Sequence, residues 1–143
     1  MFELALTDVP SETDLAAIGS GLTDFNTADI GPSGRRTLAI LIRDETGNTI
    51  GGISGYTGWG WLFTQWLFVP DALRGQGMAG QMLDLAEAEA IARGCHSAWI
   101  DTFNPQALRA YQRQGYQVFG ELPDFPPGRS RCFLQKRLVG DVA

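Results

Sequence analysis

A glycine-rich loop joins an apolar, aromatic run to a helical pattern near the middle of the chain. Residues 61–69 are typical of a strand, and residues 76 to about 93 have the periodicity of an amphipathic helix. Between them lie Gly75 and Gly77. Glycine lets a ligand approach the backbone and adopts positive φ readily, and the first turn of a helix carries unpaired N–H groups and a partial positive charge. This arrangement predicts a phosphate-binding loop.

Two nucleotide-binding motifs match this loop poorly. A Walker loop requires Gly-Lys-Ser/Thr, which is missing here. The dinucleotide fingerprint G-x-G-x-x-G is matched by Gly75, Gly77 and Gly80, and Asp101 stands where the ribose-binding acid is expected. That fingerprint places its first glycine at the end of a strand, whereas residues 70–74 intervene here. The segment before the loop also predicts a hairpin instead of a β-α-β unit, so this interpretation ranks low.

The length and charge of the chain restrict the classes of protein to which it can belong. With 143 residues, it is expected to form a single domain spanning residues 1–143. Its net charge of −5 argues against nucleic acid as a partner. The sequence has no apolar run of about 18 residues, so we expect no membrane span. The N-terminus lacks the features of a signal peptide, which predicts a cytoplasmic location.

The cysteines and the histidine form no recognisable disulfide or metal pattern. Cys95 and Cys132 lack CxxC spacing and are more typical of buried, reduced thiols than of ligands or nucleophiles. His96 is the only histidine, and one histidine seldom anchors a metal site. We therefore expect no metal.

The periodicity along the chain predicts the element order β-α-β-β-β-α-β-α-β-β. A first strand is expected over residues 2–7, and a helix after the capping box of Ser11 and Asp14, which Gly19 and Gly21 weaken and could divide into two pieces. The other expected strands lie near residues 37–42, 49–58, 60–69, 98–103, 116–122 and 130–138. This order favours an α/β or α+β fold, a mixed sheet with helices on its faces.

Two further signatures in the chain agree with each other. The loop matches Arg/Gln-x-x-Gly-x-Gly/Ala at Arg74, Gly77 and Ala79, directly after Val69 and Pro70. The segment after the next predicted strand matches Asn-x-x-Ala-x-x-x-Tyr-x-x-x-Gly-Phe/Tyr through Asn104, Ala107, Tyr111, Gly115 and Tyr116. With both motifs at this spacing, the chain resembles the GNAT family of N-acetyltransferases. The resemblance covers most of the chain from residue 44 onward, and residues 119–128 resemble a bacterial branch of unassigned substrate.

The resemblance implies where a cosubstrate binds. Two neighbouring strands of a mixed, mostly antiparallel twisted sheet would splay apart and admit acetyl-coenzyme A (acetyl-CoA). Backbone groups of Leu67, Phe68 and Val69 would pair with the pantetheine amides as an added strand does. Asn104 would contact the pantetheine arm, and Tyr111 would lie near the thioester sulfur. Backbone N–H groups of six loop residues would hold the pyrophosphate: Arg74, Gly75, Gln76, Gly77, Met78 and Ala79.

By the same resemblance, the chain is an acetyl-CoA-dependent N-acetyltransferase, in which an amine attacks the acetyl carbonyl. The departing thiolate needs a proton or a hydrogen bond, which the Tyr111 hydroxyl can supply. As the alternative, Tyr111 is a core tyrosine on an amphipathic helix. The general base is left open between Asp101, Glu121, His96 and a chain of water molecules.

The leading functional hypothesis is acetyl transfer to an amine of a small molecule by direct attack in a ternary complex. The alternatives are a protein N-acetyltransferase, a non-catalytic coenzyme A-binding module and, less favoured, a nicotinamide-dependent enzyme. Residues 1–34 contain acidic side chains but no Lys or Arg, which favours cationic amines if this segment frames the acceptor site and otherwise describes a solvated helix face. Neither nucleic acid nor a membrane is expected as a partner, and a homodimer is left open.

Overall fold

A computed structural model describes residues 1–140 of the chain. The chain divides into two compact units, Met1–Ser33 and Gly34–Ala143. The first unit contains one helix, and the second contains a six-stranded sheet with two helices.

The helix of the first unit, α1 (Glu12–Ile30), begins at the predicted capping box. The Asp14 N–H donates to the Ser11 hydroxyl oxygen at 3.0 Å, and the Ser11 N–H donates to the Asp14 carboxylate at 3.0 Å. Hydrogen bonds that the Asp14 carboxylate accepts from Ser11, first from its backbone N–H and then from its side chain, lower the pKa of Asp14. The helix continues through Gly19 and Gly21 without a break, so the two glycines do not divide it.

The predicted first strand is wrong, because residues 2–7 form no strand in the structure. The alternation of Phe2, Leu4 and Leu6 is a local signal. A strand exists only where a neighbouring strand satisfies its backbone groups, and these residues enter none of the sheet's pairings. The element order of the described chain therefore begins with a helix.

The second unit confirms the predicted mixed, mostly antiparallel sheet flanked by helices. Its elements are β1 (Arg36–Arg43), β2 (Thr49–Gly58), β3 (Trp61–Phe68), α2 (Met78–Ala92), β4 (Ser97–Thr102), α3 (Pro105–Arg113), β5 (Gln117–Pro123) and β6 (Ser130–Arg137). The strand order is β1-β2-β3-β4-β6-β5, and only β3 and β4 run parallel. A parallel pair needs a crossover connection, which α2 supplies.

One face of the sheet packs against α2 to form the core. Leu62 on β3 and Ala98 on β4 are fully buried, together with Leu83 and Ala86 on α2. The Arg93 side chain, just after α2, donates to the Thr37 carbonyl oxygen at 3.2 Å and so links the end of the helix to β1. Apolar burial, together with this hydrogen bond, holds α2 on the sheet.

A buried polar group also connects α2 to the far strands of the sheet. Glu87 on α2 accepts a hydrogen bond from the Tyr116 hydroxyl at 3.1 Å and one from Lys136 on β6. Burial, followed by the nearby charge of Glu87, raises the pKa of Tyr116. The two cysteines, Cys95 and Cys132, are buried free thiols whose pKa burial raises, which agrees with their predicted packing role.

The parallel pair separates halfway along its length. Strands β3 and β4 pair only from Trp61 opposite Ser97 to Thr64 opposite Ile100. Beyond this fork, β3 continues to its end at Phe68 with a partner only on its β2 side. The register between β2 and β3 shifts just after the fork, because one residue of β3 is left over in a β-bulge. The bulge adds local twist at the point where the strands part.

Candidate functional site

The space between the separated ends of β3 and β4 is a cleft of about 1390 Å³. Its walls are formed by the part of β3 beyond the fork, the loop after β3 and the start of α2, and also by the end of β4 and by α3. Because parallel β3 and β4 stop pairing at Thr64 and Ile100, the backbone groups of β3 that face β4 beyond this point have no strand partner. An elongated ligand with amide groups can therefore pair there as an extra strand.

The loop after β3 has the conformation that its glycines predict. Gly75 and Gly77 have φ values of 78° and 72°, which L-residues with side chains rarely adopt. Gly77 is also the N-cap of α2, and no side chain caps the helix there. A Cβ atom at either glycine would meet no atom within 4 Å. The glycines therefore provide backbone geometry and open space in front of the helix N-terminus.

The Arg74 side chain stabilises this loop from within. Its Nε donates to the Val69 carbonyl oxygen at 2.9 Å, and its guanidinium lies 3.4 Å from the Asp71 carboxylate. These contacts tie the loop back to the end of β3. Because the ion pair is largely exposed, it adds little stability of its own.

Ten of the eleven site residues predicted from the sequence line the cleft, and Gln76 does not. The ten are Leu67, Phe68, Val69, Arg74, Gly75, Gly77, Met78, Ala79, Asn104 and Tyr111. The side-chain amide of Gln76 donates instead to the Ala72 carbonyl oxygen at 3.3 Å. A residue at this position of a tight turn closes the loop, whereas its neighbours face the ligand space.

Tyr111 lies on α3 and reaches the cleft from the core. It is 4% exposed, and burial, with a smaller contribution from the nearby charge of Asp101, raises the pKa of its phenol to about 12. The hydroxyl is therefore protonated at neutral pH and can donate a hydrogen bond. The position combines the two interpretations left open by the sequence, since Tyr111 is both a packed residue and a residue of the cleft.

Asn104 starts α3 as its N-cap. Its Oδ1 accepts hydrogen bonds from the N–H groups of Gln106 at 2.8 Å and Ala107 at 3.1 Å. Pro105 follows at the first helical position, where its missing N–H costs nothing. Because Oδ1 is committed to the helix, only the amide hydrogens of Asn104 remain for a ligand.

Of the three side chains considered as a general base, only Asp101 lines the cleft. His96 lies at the other end of the parallel pair, where its Nδ1 is 2.9 Å from the Ser97 hydroxyl. Glu121 lies on β5, outside the set of residues that line the cleft. The structure therefore brings Asp101, and neither of the others, together with Tyr111.

The cleft also contains polar residues that the sequence did not single out. Arg109 and Arg113 follow one another by one turn of α3, and Arg131 comes from β6. With Arg74, the cleft has four arginines and one acid, Asp101, in a chain of net charge −5. Two arginines four residues apart, at unspecified positions within the motif from Asn104 to Tyr116, were the signal that could have identified the pair on α3.

A buried hydroxyl lies at the fork itself. Thr64 is 1% exposed and lines the cleft, and its Oγ1 has no hydrogen-bond partner. Such an unsatisfied group costs roughly 1–3 kcal/mol. Among residues 1–140, no group of three or more His, Cys, Asp or Glu side chains is placed to hold a metal ion, and no helix in that range is long and apolar enough to cross a membrane.

Comparison with known proteins assigns the class to which this fold belongs. The family model described as Acetyltransferase (GNAT) family matches residues 12–116. An acetyltransferase of Agrobacterium fabrum is 46% identical and aligns over 92% of this chain and 96% of its own length. A blasticidin-S acetyltransferase of Streptomyces morookaense is 37% identical over 66% of this chain and 70% of its own length.

A solved structure gives the same result for the fold. The crystal structure of an acetyltransferase from Agrobacterium tumefaciens has a TM-score of 0.92 and 44% identity, covering 95% of this chain and 99% of that one. The chain belongs to the acetyltransferase (GNAT) family. The enzyme class predicted from the sequence, an acetyl-CoA-dependent N-acetyltransferase, is thereby confirmed.

Proposed function

We propose that the protein transfers the acetyl group of acetyl-CoA to the amine of a small molecule, by direct attack in a ternary complex. The observation that carries this proposal is the fork between β3 and β4, which has the glycine loop at one end and the Tyr111 hydroxyl within the same cleft. A phosphate-binding loop, an unpaired strand edge and a hydrogen-bond donor are the three parts that a thioester of coenzyme A requires.

The cleft offers each portion of acetyl-CoA a matching set of groups. The pantetheine amides would pair with the free backbone edge of Leu67, Phe68 and Val69. The pyrophosphate would accept hydrogen bonds from N–H groups at the start of α2, where the helix dipole is positive. Arg109 and Arg113 supply positive charge along the same cleft for a cosubstrate that is a polyanion.

The chemistry requires little acid–base machinery once both substrates are bound. Holding an amine against a thioester in the correct orientation removes a large part of the entropic barrier. As the carbon–sulfur bond breaks, the sulfur accumulates negative charge, and Tyr111 would donate its proton or a hydrogen bond to it. Because the pKa of Tyr111 is raised, its phenol is protonated at neutral pH before the substrates bind.

The small-molecule acceptor is supported by the relative named blasticidin-S acetyltransferase, which is 37% identical and is named for a small-molecule acceptor. The cleft includes the buried fork residues Thr64 and Ile100, beside which a compact acceptor would bind.

The glycine loop provides the test of acetyl-CoA binding. Gly77→Glu puts bulk and negative charge in front of the α2 N-terminus, so acetyl-CoA affinity measured by calorimetry should fall by at least about 10²-fold, or about 2.7 kcal/mol. The matched control is Gly47→Glu in the β1–β2 turn. Gly47 has a φ of 86°, and a Cβ atom there would meet no atom within 4 Å, so the same strain and charge are added away from the cleft. A folded Gly77→Glu protein with unchanged affinity would disprove the binding site.

A further inference from the structure

Asp101 and Arg131 lie together on one side of the cleft. Asp101 is the first residue of β4 beyond the fork, and Arg131 comes from the neighbouring strand β6. Successive side chains of a strand point to opposite faces. Because Ile100 and Cys132 belong to the buried core, Asp101 and Arg131 point to the opposite face of the sheet. Their position separates them from the glycine loop, which leads into α2.

The two charges are near each other but poorly paired. The nearest atoms, Arg131 Nη1 and Asp101 Oδ1, are 3.8 Å apart, which is longer than the roughly 2.7–3.2 Å of a hydrogen bond. The Nε of Arg131 is buried and has no hydrogen-bond partner. Both side chains are about one quarter exposed. Both residues line the cleft, and their charged groups lie close together without a hydrogen bond between them.

The Arg131 guanidinium is held in place by aromatic rings and a closed loop. Its Cζ lies 4.0 Å from the centre of the Phe125 ring and 5.1 Å from that of Phe103. Phe103 is fixed in turn, because Arg129 donates to its carbonyl oxygen at 3.0 Å. The loop between β5 and β6 is closed by the Phe125 N–H, which donates to the Arg129 carbonyl oxygen at 3.1 Å. This support keeps the guanidinium from moving freely toward Asp101.

We propose that Asp101 and Arg131 bind the acceptor as a zwitterion, and that the acceptor is an α-amino acid acetylated on its amine. This inference rests on the proposed function. The ammonium group pairs with the Asp101 carboxylate, and the carboxylate, one carbon away, pairs with the outward-facing N–H groups of Arg131. In this arrangement each charged group of the acceptor meets a side chain of the opposite charge.

The proposed amine site lies in the same cleft as Tyr111. Asp101 is close enough to Tyr111 for its charge to contribute to the raised pKa of the phenol. The ammonium gives one proton to Asp101, and the neutral amine forms a carbon–nitrogen bond with the acetyl carbonyl. The carbon–sulfur bond breaks, the sulfur takes a proton from Tyr111, and the second proton lost from nitrogen returns to Tyr111. The products are the N-acetyl amino acid and coenzyme A, and the proton on Asp101 passes to solvent.

A simple cationic amine fits the same site less well. It would be attracted by Asp101 and repelled by Arg131, and the guanidinium would stay unpaired. An amino acid amide has the same defect, because its carboxamide is neutral. The proposal therefore predicts a ranking of three related acceptors: amino acid above amide and above decarboxylated amine.

The experiment measures thiol release from acetyl-CoA with the common amino acids as acceptors, and then compares the best of them with its amide and its decarboxylated amine. We expect kcat/KM for the amino acid to exceed that of the other two by at least about 10-fold. Arg131→Gln should lower kcat/KM for the amino acid by about 30-fold or more and leave the decarboxylated amine almost unchanged. Arg131→Lys keeps the charge but loses the planar fork, and an intermediate preference is expected. Asp101→Asn should lower kcat/KM for all three acceptors.

The control variant is Arg43→Gln, which removes an arginine that donates to the Gly47 carbonyl oxygen in the β1–β2 turn, and it should keep the full preference. A wild-type enzyme that uses the amide or the amine as well as the amino acid, or that acetylates amines but no amino acid, overturns the inference without any variant. Calorimetric titration with acetyl-CoA distinguishes a failure of the proposed function from a failure of the acceptor assignment. Failure to bind acetyl-CoA refutes the proposed function, whereas binding without turnover of any amino acid refutes only the assignment of the acceptor.

Discussion

The two halves of the β3–β4 pair have the same strands and opposite physical characters. In the closed half, Leu62 and Ala98 are fully buried and the backbones are hydrogen-bonded to each other from Trp61 to Thr64. In the open half, the side chains of β3 are mostly exposed and the backbone edge toward β4 is free. The closed half therefore holds the fold together, and the open half keeps polar groups available.

This difference shows how a single pair of strands can stabilise the fold at one end and form a binding cleft at the other. A polar backbone group that is buried without a partner costs roughly 1–3 kcal/mol, so strands seldom separate inside a core. Here the separation begins at a bulge and at Thr64, whose hydroxyl has no partner. The stability of the closed half compensates for these unsatisfied groups, which become useful when a ligand pairs with them.

The largest expected effect is on the free energy of unfolding, and it should differ between substitutions in the closed and open halves of the β3–β4 pair. Leu62→Ala removes a fully buried side chain from the closed half and should reduce the free energy of unfolding by about 2–5 kcal/mol. Leu67→Ala in the open half removes a partly buried side chain that lines the cleft, so the loss should be about half as large, with a higher KM for acetyl-CoA. Urea denaturation measures both. Equal destabilisation by the two substitutions would contradict the division of roles.

The next effect separates two neighbouring buried tyrosines, of which Tyr111 lines the cleft and Tyr116 does not. Tyr111→Phe should lower kcat about 10²-fold, the lower end for general acid catalysis, with acetyl-CoA affinity almost unchanged. Tyr116→Phe is the matched control, since its hydroxyl is buried against Glu87. It should reduce the free energy of unfolding by about 1–3 kcal/mol and leave kcat unchanged. A full-rate Tyr111→Phe enzyme would make Tyr111 a packing residue.

Features encoded by neighbouring residues could be predicted from the sequence. The capping box of Ser11 and Asp14, the Asn104 cap and the left-handed glycines of the loop depend on a few adjacent positions, and each is present in the structure. Ten of the eleven site residues predicted from the motifs and the family resemblance line the cleft, although the binding role of each one stays a prediction.

Features that depend on distant residues could not be predicted in the same way. The first strand was wrong because alternation over residues 2–7 says nothing about a partner strand. The pairing of Asp101 with Arg131 joins positions thirty residues apart through the register of β4 and β6. The fork at Thr64 follows from where two strands stop pairing, which no local pattern reveals. Gln76 shows that local motifs also have a limit. It occupies a motif position, but its side chain closes the loop instead of facing the ligand.

The smallest expected effect concerns how the buried phenol of Tyr111 changes stability at alkaline pH. Its pKa is raised to about 12 in the folded protein, against about 10 in an unfolded chain, so the unfolded state loses the phenolic proton first as pH rises. The stabilisation is complete below about pH 10 and is lost between about pH 10 and pH 12. Linkage gives a loss of about 1.4 kcal/mol by about pH 11 from this group. Urea midpoints of the wild type and Tyr111→Phe at pH 9 and at pH 11 isolate it, because the variant keeps every other titrating group. The wild type should lose more stability than the variant over this interval. Equal losses would show that the Tyr111 phenol titrates in the folded protein as it does in the unfolded chain, and that burial does not raise its pKa.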